Sequence, residues 1–264
     1  MGSLLVSGCS FTNYKAVVPD IHKIENTDFD FWPDILSKHL NKKLINVGRV
    51  GASNDYISYS IIPHIEEADI VCILLTDWLR LSLYNIPGWC LNLSGQPAFS
   101  TDHLPDHLDY IESSYRNNKR QMLGLELIKN FQEIYQTNNF IGCVVQHQIF
   151  KNILPLQEMC NYRNIKLIIM QGLAPFNLQS WLLKLLDYQF TSEGKLDLKI
   201  IINEIIKYEK YINTNNFLGW PIYQEIGGFH WSFGKREDMV MSKHNAHPNK
   251  KGHQWLAEQF LQFM

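Results

Sequence analysis

The sequence predicts an α/β protein: a doubly wound, mainly parallel sheet of about five strands, covered by helices on both faces to give three layers. Three observations predict it. Short apolar runs alternate with stretches whose apolar residues recur at helical spacing, the order expected of strand–helix units. The first two apolar runs, and that of residues 165–170, stop at or within a residue or two of a glycine, as a strand does at its carboxyl end. The run Asp69-Ile70-Val71-Cys72-Ile73-Leu74-Leu75 shows no polar alternation, so both its faces are to be buried, as at the centre of a parallel sheet.

Each element follows in order. Leu4-Leu5-Val6 is a buried strand ended by Ser7-Gly8-Cys9-Ser10. Phe31, Ile35, Leu36 and Leu40 recur at helical spacing, with Pro33 acceptable in a first turn. Leu44-Ile45-Asn46-Val47 is a second strand ended at Gly48, a helix is expected from about Asn54 to Glu67, and Asp69 to Leu75 is the third strand. Residues 77–120 break the rhythm: rich in Trp, Pro, Gly, Asn and His and without a period, they read as an insertion or lid over the carboxyl edge of the sheet. A long helix is expected over 121–150, with a break near Asn138-Asn139. Ile165 to Met170 is the fourth strand, 176–212 is mostly helical or irregular, and Gly219 to Ile226 is a candidate fifth strand weakened by Pro221. The last helix is expected from about Lys250 to Phe263, with Trp255, Leu256, Phe260 and Phe263 on one side. No repeat or linker interrupts the chain, so residues 1–264 read as one domain.

Composition narrows the class. With 264 residues, 45% of them apolar, the chain can bury a large core. Lys and Arg total 24 against 26 Asp and Glu, so the basic footprint of a nucleic-acid partner is missing. The five cysteines (Cys9, Cys72, Cys90, Cys143, Cys160) form no CxxC pair, which excludes zinc-ribbon and thioredoxin-type motifs and suits reduced thiols. No apolar run approaches the ~18 residues of a membrane span. Val6-Ser7-Gly8-Cys9 imitates a lipoprotein cleavage box, but only Leu4, Leu5 and Val6 precede it as an apolar stretch and no Lys or Arg stands before them. The expected location is cytoplasmic, without membrane partners or cofactors.

Ligands in such sheets bind beyond the carboxyl ends of the strands, and three segments there carry chemistry. Gly8-Cys9-Ser10-Phe11-Thr12 can present a serine hydroxyl and backbone N–H, or simply make a turn or helix cap. In Asn46-Val47-Gly48-Arg49-Val50-Gly51-Ala52-Ser53-Asn54, two glycines permit close backbone approach, and Gly51 can offer an N–H to an anion; Ser53 or Asn54 as a helix cap accounts for part of this. His244-Asn245-Ala246-His247-Pro248-Asn249 feeds the terminal helix, and a polar loop explains its Pro and Asn but not its histidines.

Together these segments resemble the SGNH/GDSL hydrolase family. Gly8-Cys9-Ser10 stands at the Gly-Asp-Ser nucleophile block, Gly51 with Asn54 at the oxyanion-hole glycine, and His247-Pro248-Asn249 with Gly252-His253 at the Asp-x-x-His-Pro block. The chain is most similar to a phage and bacterial subgroup that opens Gly-Cys-Ser-Phe-Thr, matched also by Trp32-Pro33 and by Asn46 to Asn54. The resemblance implies a flavodoxin-like sheet and a serine esterase or deacetylase acting on a small or carbohydrate ester. Ser10 would be nucleophile, His247 its base, and the N–H groups of Ser10 and Gly51 the oxyanion hole. Two departures stand out. The family's asparagine after the third strand is replaced by Thr76-Asp77-Trp78-Leu79, leaving Asn54 as its substitute, and the acid's position holds His244, which cannot stabilise an imidazolium by charge. Asn245 is then an alternative orienting group.

The competing class is a catalytically weak or inactive member that binds a glycan or protein partner, for example as a virion or assembly component. A metal reading draws on His244, His247 and His253 and on His103 with His107, but Pro105 separates the latter two and no HExxH carboxylate accompanies them. Trp78, Trp89, Trp220, Phe229, His230 and Trp231 invite sugar binding, although large aromatics more often pack a core or lid. The discriminating expectation is that Ser10 and His247 meet above the sheet.

Overall fold

The computed structural model describes residues 2–13, 28–82, 90–92, 130, 133, 139–173, 198–218, 237–242 and 245–264. Four parallel strands form the central sheet: β1 (Ser3–Gly8), β2 (Lys43–Asn46), β3 (Ala68–Leu75) and β6 (Lys166–Gln171), in the order β2-β1-β3-β6. β1 is buried throughout, and β3 is buried from Val71 to Leu75, as its uninterrupted apolar run requires. Phe217 adds a single parallel bridge to Ile169 on the far side of β6, with Leu218 N donating to Ile169 O at 2.9 Å. The sheet proper therefore has four strands among the described residues where about five were expected, and the candidate fifth strand at 219–226 lies outside them.

Connectivity dictates the layers. The chain passes from β1 to β2 on one side, then back across β1 to β3, and right-handed crossovers in opposite directions put their helices on opposite faces. The first crossover holds α1 (Trp32–Leu40), which begins with Pro33 in its first turn and ends at Asn41 in the left-handed region (φ 51°). It packs against α6 (Lys250–Gln262), where Trp32 stacks on Phe260 with centroids 4.6 Å apart. The second crossover was expected as one helix over 54–67. It is α2 (Asn54–Tyr59) followed by a 3-10 turn at Ile62–Glu67, because Pro63 supplies no N–H and its ring crowds the preceding turn of an α-helix.

Beyond β3, two short antiparallel strands, β4 (Arg80–Ser82) and β5 (Cys90–Asn92), fall inside the expected insertion; its other residues after 82 lie outside the described ones. Asn139 accepts from Gly142 N at 2.9 Å and starts α3 (Phe140–His147); most of the expected helix before it lies outside the described residues. A π-turn at Gln148–Ile153 continues into α4 (Leu154–Tyr162). After β6 come α5 (Leu198–Ile206) and a hairpin of β7 (Val240–Ser242) with β8 (Asn245–Pro248). The histidine segment expected as a polar loop is thus a strand.

Candidate active site

The site forms where β1 and β3 diverge in connectivity, the crevice at which doubly wound sheets take ligands. Behind Gly8 the chain folds into a tight turn, with Thr12 N (2.9 Å) and Asn13 N (3.2 Å) both donating to Cys9 O, which lifts Ser10 onto the sheet's edge. Cys9 points inward and is fully buried. The loop after β2 is stapled to this turn. Arg49 N donates to Gly8 O (2.9 Å), Asn46 Nδ2 to Thr12 O (3.2 Å) and Asn13 Nδ2 to Gly48 O (3.0 Å). Thr12 is the plug between the loops. A Cβ on Gly8 would lie 2.0 Å from its Oγ1, and one on Gly48 2.8 Å from its Cγ2, so both positions require glycine.

Gly51 closes the same loop. It takes φ 70° at the third position of a turn sealed by Ala52 N to Arg49 O (3.1 Å), a conformation that strains any residue with a Cβ. Ser53 then caps α2 by accepting from Tyr56 N at 3.2 Å.

His247 arrives from the other end of the chain. Asn249 anchors its strand: Nδ2 donates to Asp238 O (2.9 Å) and Val240 O (3.0 Å), while Oδ1 caps α6 by accepting from Gly252 N (3.0 Å). Held this way, His247 Nε2 lies 2.8 Å from Ser10 Oγ across a sequence separation of 237. Phe11 braces the imidazole edge-on, with ring centroids 5.3 Å apart. Burial first, and then the positive charge of Arg80, push the imidazole pKa down to about 4. The ring is therefore neutral at ordinary pH, and an unprotonated Nε2 can accept the serine proton.

Other candidates lie elsewhere. Asn54 is fully buried, its Oδ1 accepting from Thr76 N (2.8 Å) and its Nδ2 reaching Thr76 O (3.4 Å), so it ties α2 to the end of β3 instead of facing a ligand. His253 is buried too: Nδ1 accepts from Trp32 N (3.3 Å) and the ring stacks on Phe31 at 4.1 Å. His253 is thus engaged with Trp32 and Phe31, and His244 lies outside the described residues; among the described residues no cluster of three His, Cys, Asp or Glu forms a metal-binding group. Trp78 is core, its Nε1 donating to Gln171 Oε1 at 3.0 Å. His244, His103, His107, Trp89, Trp220, Phe229, His230 and Trp231 lie outside the described residues. Sequence reasoning missed Arg80, a lone arginine in no motif, and the roles of Phe11 and Thr12.

The class defined by this architecture is a parallel doubly wound α/β domain with a serine–histidine pair at the carboxyl edge of its sheet. No family model and no curated protein matches the chain. Among solved structures, it is similar to a psychrotrophic esterase from Pseudoalteromonas, at 11% identity and a TM-score of 0.41 over 99% of this chain and 96% of that one. A lipase from a goat rumen metagenome gives 12% identity and a TM-score of 0.43, covering 100% and 97%. A lipolytic protein of the G-D-S-L family from Desulfitobacterium hafniense gives 12% and 0.41, covering 100% of both chains.

Proposed function

We propose that the chain is a serine ester hydrolase of the SGNH/GDSL type, with Ser10 as nucleophile and His247 as general base. The observation that carries this reading is the 2.8 Å contact between Ser10 Oγ and His247 Nε2. Ser10 attacks the ester carbonyl as its proton passes to Nε2, and the N–H groups of Ser10 and Gly51 hold the oxyanion. The protonated ring then returns the proton to the leaving alcohol, and water cleaves the acyl-enzyme by the same relay. The substrate is a small or carbohydrate ester, an acetyl ester in the simplest case.

A second reading, a weakly active or inactive binding protein, is favoured by one specific feature: the ring that must take the proton is hard to protonate. Hydrolysis of 4-nitrophenyl acetate by the unaltered protein, Ser10→Ala and His244→Asp separates the two. The esterase reading expects a slow rate abolished in Ser10→Ala and raised at least tenfold in His244→Asp, since a carboxylate in the acid's position would stabilise the imidazolium by ~1.4 kcal/mol or more. A rate equal to that of Ser10→Ala, with no gain in His244→Asp, overturns it.

A further inference from the structure

Asp55 stands in the first turn of α2 and is buried. A buried carboxylate is costly unless donors surround it. Its Oδ1 accepts from Asn152 Nδ2 at 3.0 Å and lies 3.1 Å from His147 Nε2. Both partners come from the end of α3 and the π-turn that follows, which packs on α2. Asn152 Nδ2 also reaches Gln148 Oε1 (2.8 Å), and Gln148 Nε2 donates to Trp78 O (3.0 Å) in the segment leaving β3. Trp78 is bonded to Gln171 at the end of β6, and Gln171 Nε2 donates to Thr76 O at 2.8 Å. Thr76 is the residue gripped by Asn54, the neighbour of Asp55. The contacts therefore close a ring that leaves α2 at Asn54, crosses the ends of β3 and β6, and returns through the π-turn to Asp55.

A helix dipole is served as well by an acid at the surface, and apolar side chains fill a core at less cost. What a satisfied polar ring adds is direction and rigidity. Only Ala52 and the capping Ser53 separate Gly51 from this ring. On its other side the same loop is tied to the turn of Ser10, through Arg49 N and Gly8 O. We propose that Asp55, Asn152 and His147 are positioning residues: by fixing the first turn of α2 they aim the Gly51 N–H at the ester oxygen that gains charge when Ser10 attacks. The inference rests on the esterase reading, and it deepens it by naming what holds the oxyanion hole in place.

The test compares 4-nitrophenyl acetate with 4-nitrophenyl thionoacetate, in which sulfur replaces the carbonyl oxygen. Sulfur is larger and a weaker acceptor, so the preference for oxygen in kcat/KM measures how well the N–H groups are aimed. The unaltered protein is expected to prefer the oxygen ester at least tenfold. In His147→Ala and Asn152→Ala that preference is expected to fall at least fivefold, with kcat reduced more than KM is changed. His147→Gln, which keeps a donor to Asp55, is expected to retain most of it. The side chain of His147 is 18% exposed, so its replacement carries the test where Asn152→Ala fails to fold. Rates for both esters that fall together, with the preference unchanged, overturn this inference alone, as does Ser10-dependent hydrolysis without a preference in the unaltered protein. Absence of Ser10-dependent hydrolysis in the unaltered protein overturns the esterase reading and the positioning role with it.

Discussion

At His247 two demands oppose each other. A base for Ser10 has to accept a proton, yet burial and the nearby Arg80 penalise the charged ring and hold its pKa at about 4. In the proposed reaction the neutral ring is the working form, so Ser10-dependent activity is expected to be flat from neutral pH to about 5 and to fall with a midpoint near 4. The same shift acts on stability. The folded pKa lies below the ordinary 6.5, so the unfolded chain takes up the proton first. The contribution is intact above about 6.5 and is lost as the pH falls towards 4, at most about 3 kcal/mol in all. Urea unfolding at pH 7 and pH 4.5 checks it: the unaltered protein should lose more stability between the two than His247→Gln does. An equal loss would assign the acid sensitivity to other groups.

Among the elements, the loops after β1 and β2 behave as one body because Thr12 fills the space left by two glycines. Gly8→Ala puts a Cβ 2.0 Å from Thr12 Oγ1, and overpacking of this kind costs about 1–3 kcal/mol and shifts the turn that carries Ser10. Thr12→Ala makes room and removes a hydroxyl that is buried without a hydrogen-bond partner. The double variant is therefore expected to be more stable than the sum of the two single changes allows, by at least ~0.5 kcal/mol in denaturant unfolding. Additive effects would show that the clash is relieved elsewhere. This junction also shows what the sequence reveals. β1, β2, β3 and β6 are legible because apolar runs between turn residues have few alternatives, and the meeting of Ser10 with His247 because they fall at a strand end and in a motif. Pro63 could have divided the 54–67 helix in advance. The β7–β8 hairpin could not be foreseen, since strands this short are set by their pairing and not by their own pattern. Asn54 was opaque for a related reason. Whether an amide faces a cleft or a backbone depends on which segments the fold sets beside it.

Over the whole molecule, the site depends on α6 seating correctly against α1, since the strand bearing His247 runs directly into that helix. The seat consists of the Trp32–Phe260 stack, the fully buried Leu256 and Ala257, and the bond from Trp32 N to His253 Nδ1. Phe260→Ala is expected to cost about 3–5 kcal/mol in denaturant unfolding and to reduce Ser10-dependent activity while the protein remains folded. Loss of stability with activity per folded molecule unchanged would mean that the β7–β8 hairpin holds His247 without help from the helix.

That Ser10 and His247 stand 237 positions apart has a consequence during synthesis. A ribosome that has reached Gln171 has already made all four strands of the sheet and the turn holding the serine, but not the histidine. At usual elongation rates the interval before His247 is added lasts on the order of ten seconds. Throughout it Ser10 has no histidine beside it, and a product terminated in that interval would lack the proposed base. Ser10 and His247 come together only after the scaffold beneath them has been made, so the proposed activity is the last property the growing chain acquires.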